Sequence, residues 1–150
     1  LSEGYGEWLL DPGFPILIMD VQPGEPFPLD AELMLDSHPV PHTEESVALG
    51  RTAPEGRLVY TGDTGPSPEL ARWAKGCDLL LAEGSLPESM AMDTHLTPER
   101  AGELARDAEA RRLVLTHFYP PVENSDPARA AASRFNGPVT AAADGDRFTI

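Results

Sequence analysis

Three scarcities bound this chain before any motif is read. Cysteine occurs once, at Cys77. That excludes an internal disulfide framework and any Cys-rich zinc cluster, leaves His and Asp as the ligand types for a metal, and suits a reducing cytoplasm. Basic residues are few: 11 Lys and Arg stand against 25 Asp and Glu, a net charge of −14. Such a field repels phosphate backbones, so nucleic acid is not the expected partner. Long apolar runs are also missing. The longest, around Phe14 to Met19, contains a proline and falls far short of the roughly 20 residues that span a bilayer. No membrane span is therefore expected. What is present, 150 residues of which 41% are hydrophobic, suits one domain with a real core.

Local patterns set out an α/β order. Residues 14–21, FPILIMDV, read as a strand, followed by a proline-rich connection, with a strand resuming at Leu33 to Leu35. In PVPHTEES the flanking prolines hold His42 in extended backbone, while His38 reads as loop. Ser46 to Gly50 is predicted as a strand edge, and Gly56 turns the chain into a strand over Arg57 to Thr61. Ser67-Pro68-Glu69 starts a helix that Gly76 ends. CDLLLAEG is then a buried strand finishing near Glu83. Thr97-Pro98-Glu99 starts the longest helix, with Arg111 and Arg112 suited to its C-terminal end, and RLVLTHF is the next strand. Asp126-Pro127 opens a last helix, Gly137 closes it, and VTAAA with RFTI around a DGD turn predicts a terminal hairpin.

The chemistry-bearing residues gather at strand ends. LVYTGDTG delivers Asp63 where a strand stops, Glu83 ends the next, His117 lies near the end of the third, and His95 precedes a helix start. In α/β layering, ligands collect at the carboxyl ends of such strands. Imidazole and carboxylate suit Zn²⁺, Mn²⁺ or Fe²⁺, and a carboxylate can bridge two ions as one imidazole cannot. Each residue also has an ordinary role open to it. Asp63 could accept turn hydrogen bonds, His117 could be a core histidine, His42 an exposed loop residue and His95 a cap partner. Glu83 reads as a supporting acid rather than a ligand, Cys77 as a small core hydrophobe and Trp73 as packing.

The blocks PVPHTEESVALGR, LVYTGDTG, LLLAEGS and THLTPERAGELARDAEARRLVLTHF, in that order across residues 39–118, resemble the C-terminal half of the metallo-β-lactamase superfamily, nearest to the ribonuclease Z-like metallohydrolases. The resemblance implies the second half of a four-layer αββα sandwich, with two divalent ions, zinc first and manganese or iron as alternatives. It implies His42, Asp63 and His117 as metal ligands, Asp63 bridging, and His95 assisting proton transfer to the leaving group. A hydroxide bridging the ions would be the nucleophile on a phosphodiester or small ester. The alternatives are a lactone or carboxylic-ester hydrolase, or a non-catalytic half-domain used for binding or assembly.

Two departures qualify it. The family's HxHxDH motif is absent from these residues, so the chain reads as a half-domain whose N-terminal half is the expected partner, with a homodimer as a further arrangement. Only twenty residues separate His42 from Asp63, which leaves no room for the tRNA-gripping arm of the tRNA-processing enzymes. The expected substrate is therefore a small molecule.

Overall fold

The structure, a computed structural model, describes residues 13–15 and 21–150. Most of the predicted strand over residues 14–21 lies outside them. Among the described residues, seven strands form one sheet whose spatial order follows the chain: β1 (Phe27–Pro28), β2 (Met34–Pro39), β3 (Val47–Ala53), β4 (Gly56–Tyr60), β5 (Leu79–Glu83), β6 (Leu113–Thr116) and β7 (Val139–Ala141). Strands β1 to β4 pair antiparallel, and β4 to β7 pair parallel. The change of direction has a local cause. The two-residue Pro54-Glu55 link allows a hairpin, whereas α1 (Pro68–Trp73), α2 (Pro98–Asp107) and the pair α3 (Pro120–Glu123) and α4 (Pro127–Ala132) are crossovers that bring each following strand back in the same direction.

Helices α1, α2 and α4 begin as their sequences require. Ser67, Thr97 and Asp126 accept the backbone N–H three residues on, with proline in the next position. Such a cap contributes about 1 kcal/mol. The helices cover one sheet face: Ala48, Val59, Leu80, Ala82, Leu113 and Leu115 pack beneath Leu70, Ala101, Leu104, Ala105 and Ala131, all buried. Gly102 permits the close crossing of α2 and α4, since a Cβ there would sit 2.3 Å from the Ala131 carbonyl oxygen. On the opposite face, the register aligns Leu49, Tyr60 and Leu81 in one apolar row, of which Leu49 and Tyr60 are exposed.

Several expectations are corrected. His38 is not loop; β2 extends through it, it pairs with Ala48, and its ring stacks on Trp73 with centroids 5.4 Å apart. The Ser46 to Gly50 strand runs instead from Val47 to Ala53, because its hairpin with β4 continues the ladder. Arg111 and Arg112 lie beyond α2, which ends at Asp107. Glu109 at φ 50° turns the chain out, and Arg111 pairs with Asp78 at 2.9 Å. The terminal hairpin does not form. The α4 crossover delivers Val139–Ala141 to the free edge of β6 as a parallel strand, the 143–146 turn closes on itself, and residues 147–150 form no strand. Among the described residues, no helix is long and apolar enough to cross a membrane.

Candidate metal centre

The parallel half of the sheet places its carboxyl ends together, and the candidate residues follow directly from β4, β5 and β6. Beyond Tyr60, Gly62 adopts φ 60° and turns the chain so that Asp63 leaves the strand line. Gly65 answers a different need: a Cβ there would lie 1.7 Å from the Asp93 carbonyl oxygen, and its N–H bonds the Pro41 carbonyl at 2.9 Å. The GDTG motif is thus clamped between the loop bearing His42 and the loop bearing His95.

At the end of β6, His117 holds φ 57°, a left-handed conformation that a non-glycine residue adopts at a cost of order 1–3 kcal/mol. That turn takes its side chain out of the ladder. Its Nε2 lies 3.6 Å from Asp63 Oδ1, and ligand atoms of Asp63, His95 and His117 all fall within 4.8 Å of one another. Donors at about 2.0–2.1 Å from one tetrahedral ion are about 3.3 Å apart, so the Asp63–His117 pair has nearly the separation of two ligands on one ion.

Glu83, at 1% exposure, organises the surroundings. One oxygen accepts the Thr64 backbone N–H at 2.5 Å, directly after Asp63, and the other accepts the Ser85 hydroxyl and His95 Nδ1, the latter at 3.0 Å. His42 Nδ1 lies 3.0 Å from the Thr94 carbonyl oxygen. A carbonyl oxygen has no proton to give, so Nδ1 of His42 is the donor, and the Glu83 carboxylate imposes the same on His95. Both rings therefore keep Nε2 free. An imidazole whose second nitrogen donates to a carboxylate or backbone carbonyl is the usual arrangement of a metal-ligating histidine. The donor set fits divalent transition ions on these grounds.

Asp63, His95 and His117 form the tight group. His42 stands beside it, its ring edge-on to His95 with centroids 4.8 Å apart. His38 lies in the packing between β2 and α1, where Arg57 also covers Trp73 at 5.0 Å. The sequence did not single out Ser85 or Tyr119. Ser85 follows Glu83 by two residues, the spacing that returns to the same side of extended backbone, and that alternation was the available signal. Tyr119 ends the THFY segment, its ring 5.3 Å from that of His117. Away from the site, burial pushes the Cys77 thiol up to about 11, which keeps it protonated and inert as a nucleophile.

The sequence profile described as the beta-lactamase superfamily domain matches residues 7–118. An uncharacterized protein of Mycobacterium leprae is 41% identical over 130 residues, covering 85% of this chain and 45% of that protein. A ribonuclease Z of Myxococcus xanthus is 41% identical over 109 residues, covering 68% of this chain and 34% of its own length. The chain thus spans less than half the length of these curated relatives. The metallo-beta-lactamase fold protein YhfI of Bacillus subtilis superposes with a TM-score of 0.75 at 24% identity, over 84% of this chain and 53% of that one. A sheet that delivers an aspartate and two histidines to one end, matched over most of its residues by that profile, places the chain in the beta-lactamase superfamily, with the metallo-β-lactamase fold.

Proposed function

We propose that these residues form one wall of a dinuclear metallohydrolase centre acting on a phosphodiester or similar small ester. The observation that carries this is the convergence of Asp63, His95 and His117 within 4.8 Å at the carboxyl ends of parallel strands, with His95 tied to buried Glu83. Two divalent ions, zinc first with manganese or iron as alternatives, would supply Lewis acidity and lower the pKa of bound water to about 7. His42, Asp63 and His117 would hold them, and the two oxygens of Asp63 suit it to span both. His95, its Nδ1 donating to Glu83, leaves Nε2 to take up a proton from solvent, and the imidazolium so formed can pass that proton to the leaving oxygen.

Three ligand residues are too few for two fully coordinated ions, so an N-terminal half of the same domain is the partner that completes the centre. The apolar row of Leu49, Tyr60 and Leu81 suits the packing of a second sheet. The ribonuclease Z relatives favour a phosphodiester. The −14 charge and the short span from His42 to Asp63 favour a small substrate over tRNA, and the lone cysteine suits a cytoplasmic protein.

Zinc-loaded full-length protein should hydrolyse bis(p-nitrophenyl) phosphate, and Asp63→Ala should abolish it. Preference for p-nitrophenyl acetate would move the assignment to a carboxylic-ester hydrolase. Activity that survives Asp63→Ala would remove the catalytic reading altogether and leave a domain used for binding or assembly.

A further inference from the structure

Tyr119 stands outside the donor set and yet packs against it. Its ring meets His117 edge-on at 5.3 Å between centroids and lies 5.9 Å from His95. The residue occupies the N-cap position of α3, but its side chain makes no capping bond. Its place is set by the backbone, whose N–H donates to the Ser85 carbonyl at 3.1 Å. The side chain is 39% exposed. A second segment bordering the same cluster is also apolar at its surface. The loop from Glu83 to His95, anchored at one end through Ser85 and at the other through Thr94, exposes Met90 at 52% and Met92 at 50%. A lone exposed apolar side chain is ordinary. Three lie on the two segments that carry His95 and Tyr119, in a chain with a large acidic surplus, and of these the Tyr119 ring is the one packed against the histidines.

Resting on the hydrolase reading above, we infer that Tyr119 is a substrate-contacting specificity residue, whose ring packs against a flat aromatic substituent of the ester held at Asp63, His95 and His117. The ring touches two of the histidines that face the reacting group, so a substituent joined to that group by one oxygen falls against the ring's open side. Aromatic pairs prefer offset or edge-on contact, and such a pair is worth about two- to tenfold in affinity. The contact uses the ring and not the hydroxyl.

Two diesters with the same leaving group separate this contact from the chemistry: bis(p-nitrophenyl) phosphate and methyl p-nitrophenyl phosphate. In zinc-loaded full-length protein, Tyr119→Ala should lower the aryl-over-methyl ratio of kcat/KM about fivefold relative to wild type, and Tyr119→Phe should leave it unchanged. Tyr119→Leu, which keeps apolar volume without the ring, should behave like the alanine variant and serves if that variant does not fold. Calorimetric binding of phenylphosphonate against methylphosphonate reads the same preference without turnover. An unchanged ratio and unchanged binding preference in Tyr119→Ala at wild-type metal content would overturn the assignment, as would an equal loss in Tyr119→Phe. Hydrolysis with an unaltered preference sinks the ring contact alone. Absence of hydrolysis, with an aryl preference in binding that the alanine variant loses, sinks the hydrolase reading and supports the contact.

Discussion

Replacing Glu83 by glutamine tests how far the centre depends on a residue that faces no substrate. The substitution keeps volume and one acceptor, but the amide nitrogen is a donor. In one orientation it faces the Ser85 hydroxyl and His95 Nδ1, and in the other it faces the Thr64 N–H. Either way one side of a 1%-exposed junction places donor against donor. Hydrogen bonds to a charged group contribute about 1.5–3 kcal/mol each, and rotation of the Ser85 hydroxyl recovers part of the loss. A net destabilisation of about 2 kcal/mol follows, or a fall in Tm of about 4–8 °C for a chain of this size. The larger consequence is chemical. With an amide N–H opposite, His95 relaxes by accepting at Nδ1 and carrying its proton on Nε2, which removes the free lone pair that the wild-type ring keeps there. Loss of such a supporting partner typically costs about 10–100-fold in metal affinity or activity. The assay is kcat/KM on a chromogenic diester with zinc titration and thermal unfolding on the same preparation. Wild-type zinc affinity and kcat/KM in Glu83→Gln would refute the orienting role.

Three further outcomes are expected. Cys77 is an acid whose folded pKa, about 11, lies above the ordinary thiol value, so the unfolded chain loses its proton first as pH rises. Its contribution is intact below about pH 9 and lost through pH 11, up to about 2.7 kcal/mol for two units. Denaturant midpoints should fall over that window in the wild type and fall less in Cys77→Ala. Gly65→Ala drives a Cβ into the Asp93 carbonyl and should cost about 1–3 kcal/mol by chemical denaturation while loosening the adjoining Thr94 anchor of His42. A variant as stable as wild type would show that the 92–95 loop yields freely. Leu113→Ala, at a fully buried position under the helices, should cost about 2–5 kcal/mol, and a loss below 1 kcal/mol would contradict the core described for that face.

The parts of the fold that were legible in the sequence are those with local causes. Ser67-Pro68, Thr97-Pro98 and Asp126-Pro127 start helices because their side chains satisfy backbone donors nearby, and the runs ending at Tyr60, Glu83 and Thr116 carry the apolar residues Val59, Leu80, Ala82, Leu113 and Leu115 that the helices bury. What was misread depends on partners distant in sequence. His38 looks like loop between prolines until β3 pairs with it and Trp73 arrives from α1. Residues 147–150 look like a hairpin arm until β6 offers Val139–Ala141 a free edge. At the centre, the placement of His42, His95, His117, Asp63 and Glu83 at strand ends or a helix entrance pointed to one site, in which Asp63, His95 and His117 stand within 4.8 Å of one another and His42 beside them. It did not foretell that Glu83 would join Thr64, Ser85 and His95, since that junction needs the fold of three loops at once.

The central claim is that Asp63 and the histidines around it hold metal, and metal analysis of the full-length protein after zinc loading and exhaustive dialysis against metal-free buffer tests it most directly. Near two equivalents in the wild type, falling below one in Asp63→Ala with the fold intact by circular dichroism, is the result expected. Zinc no higher than in the buffer, or equal retention in both proteins, would contradict it.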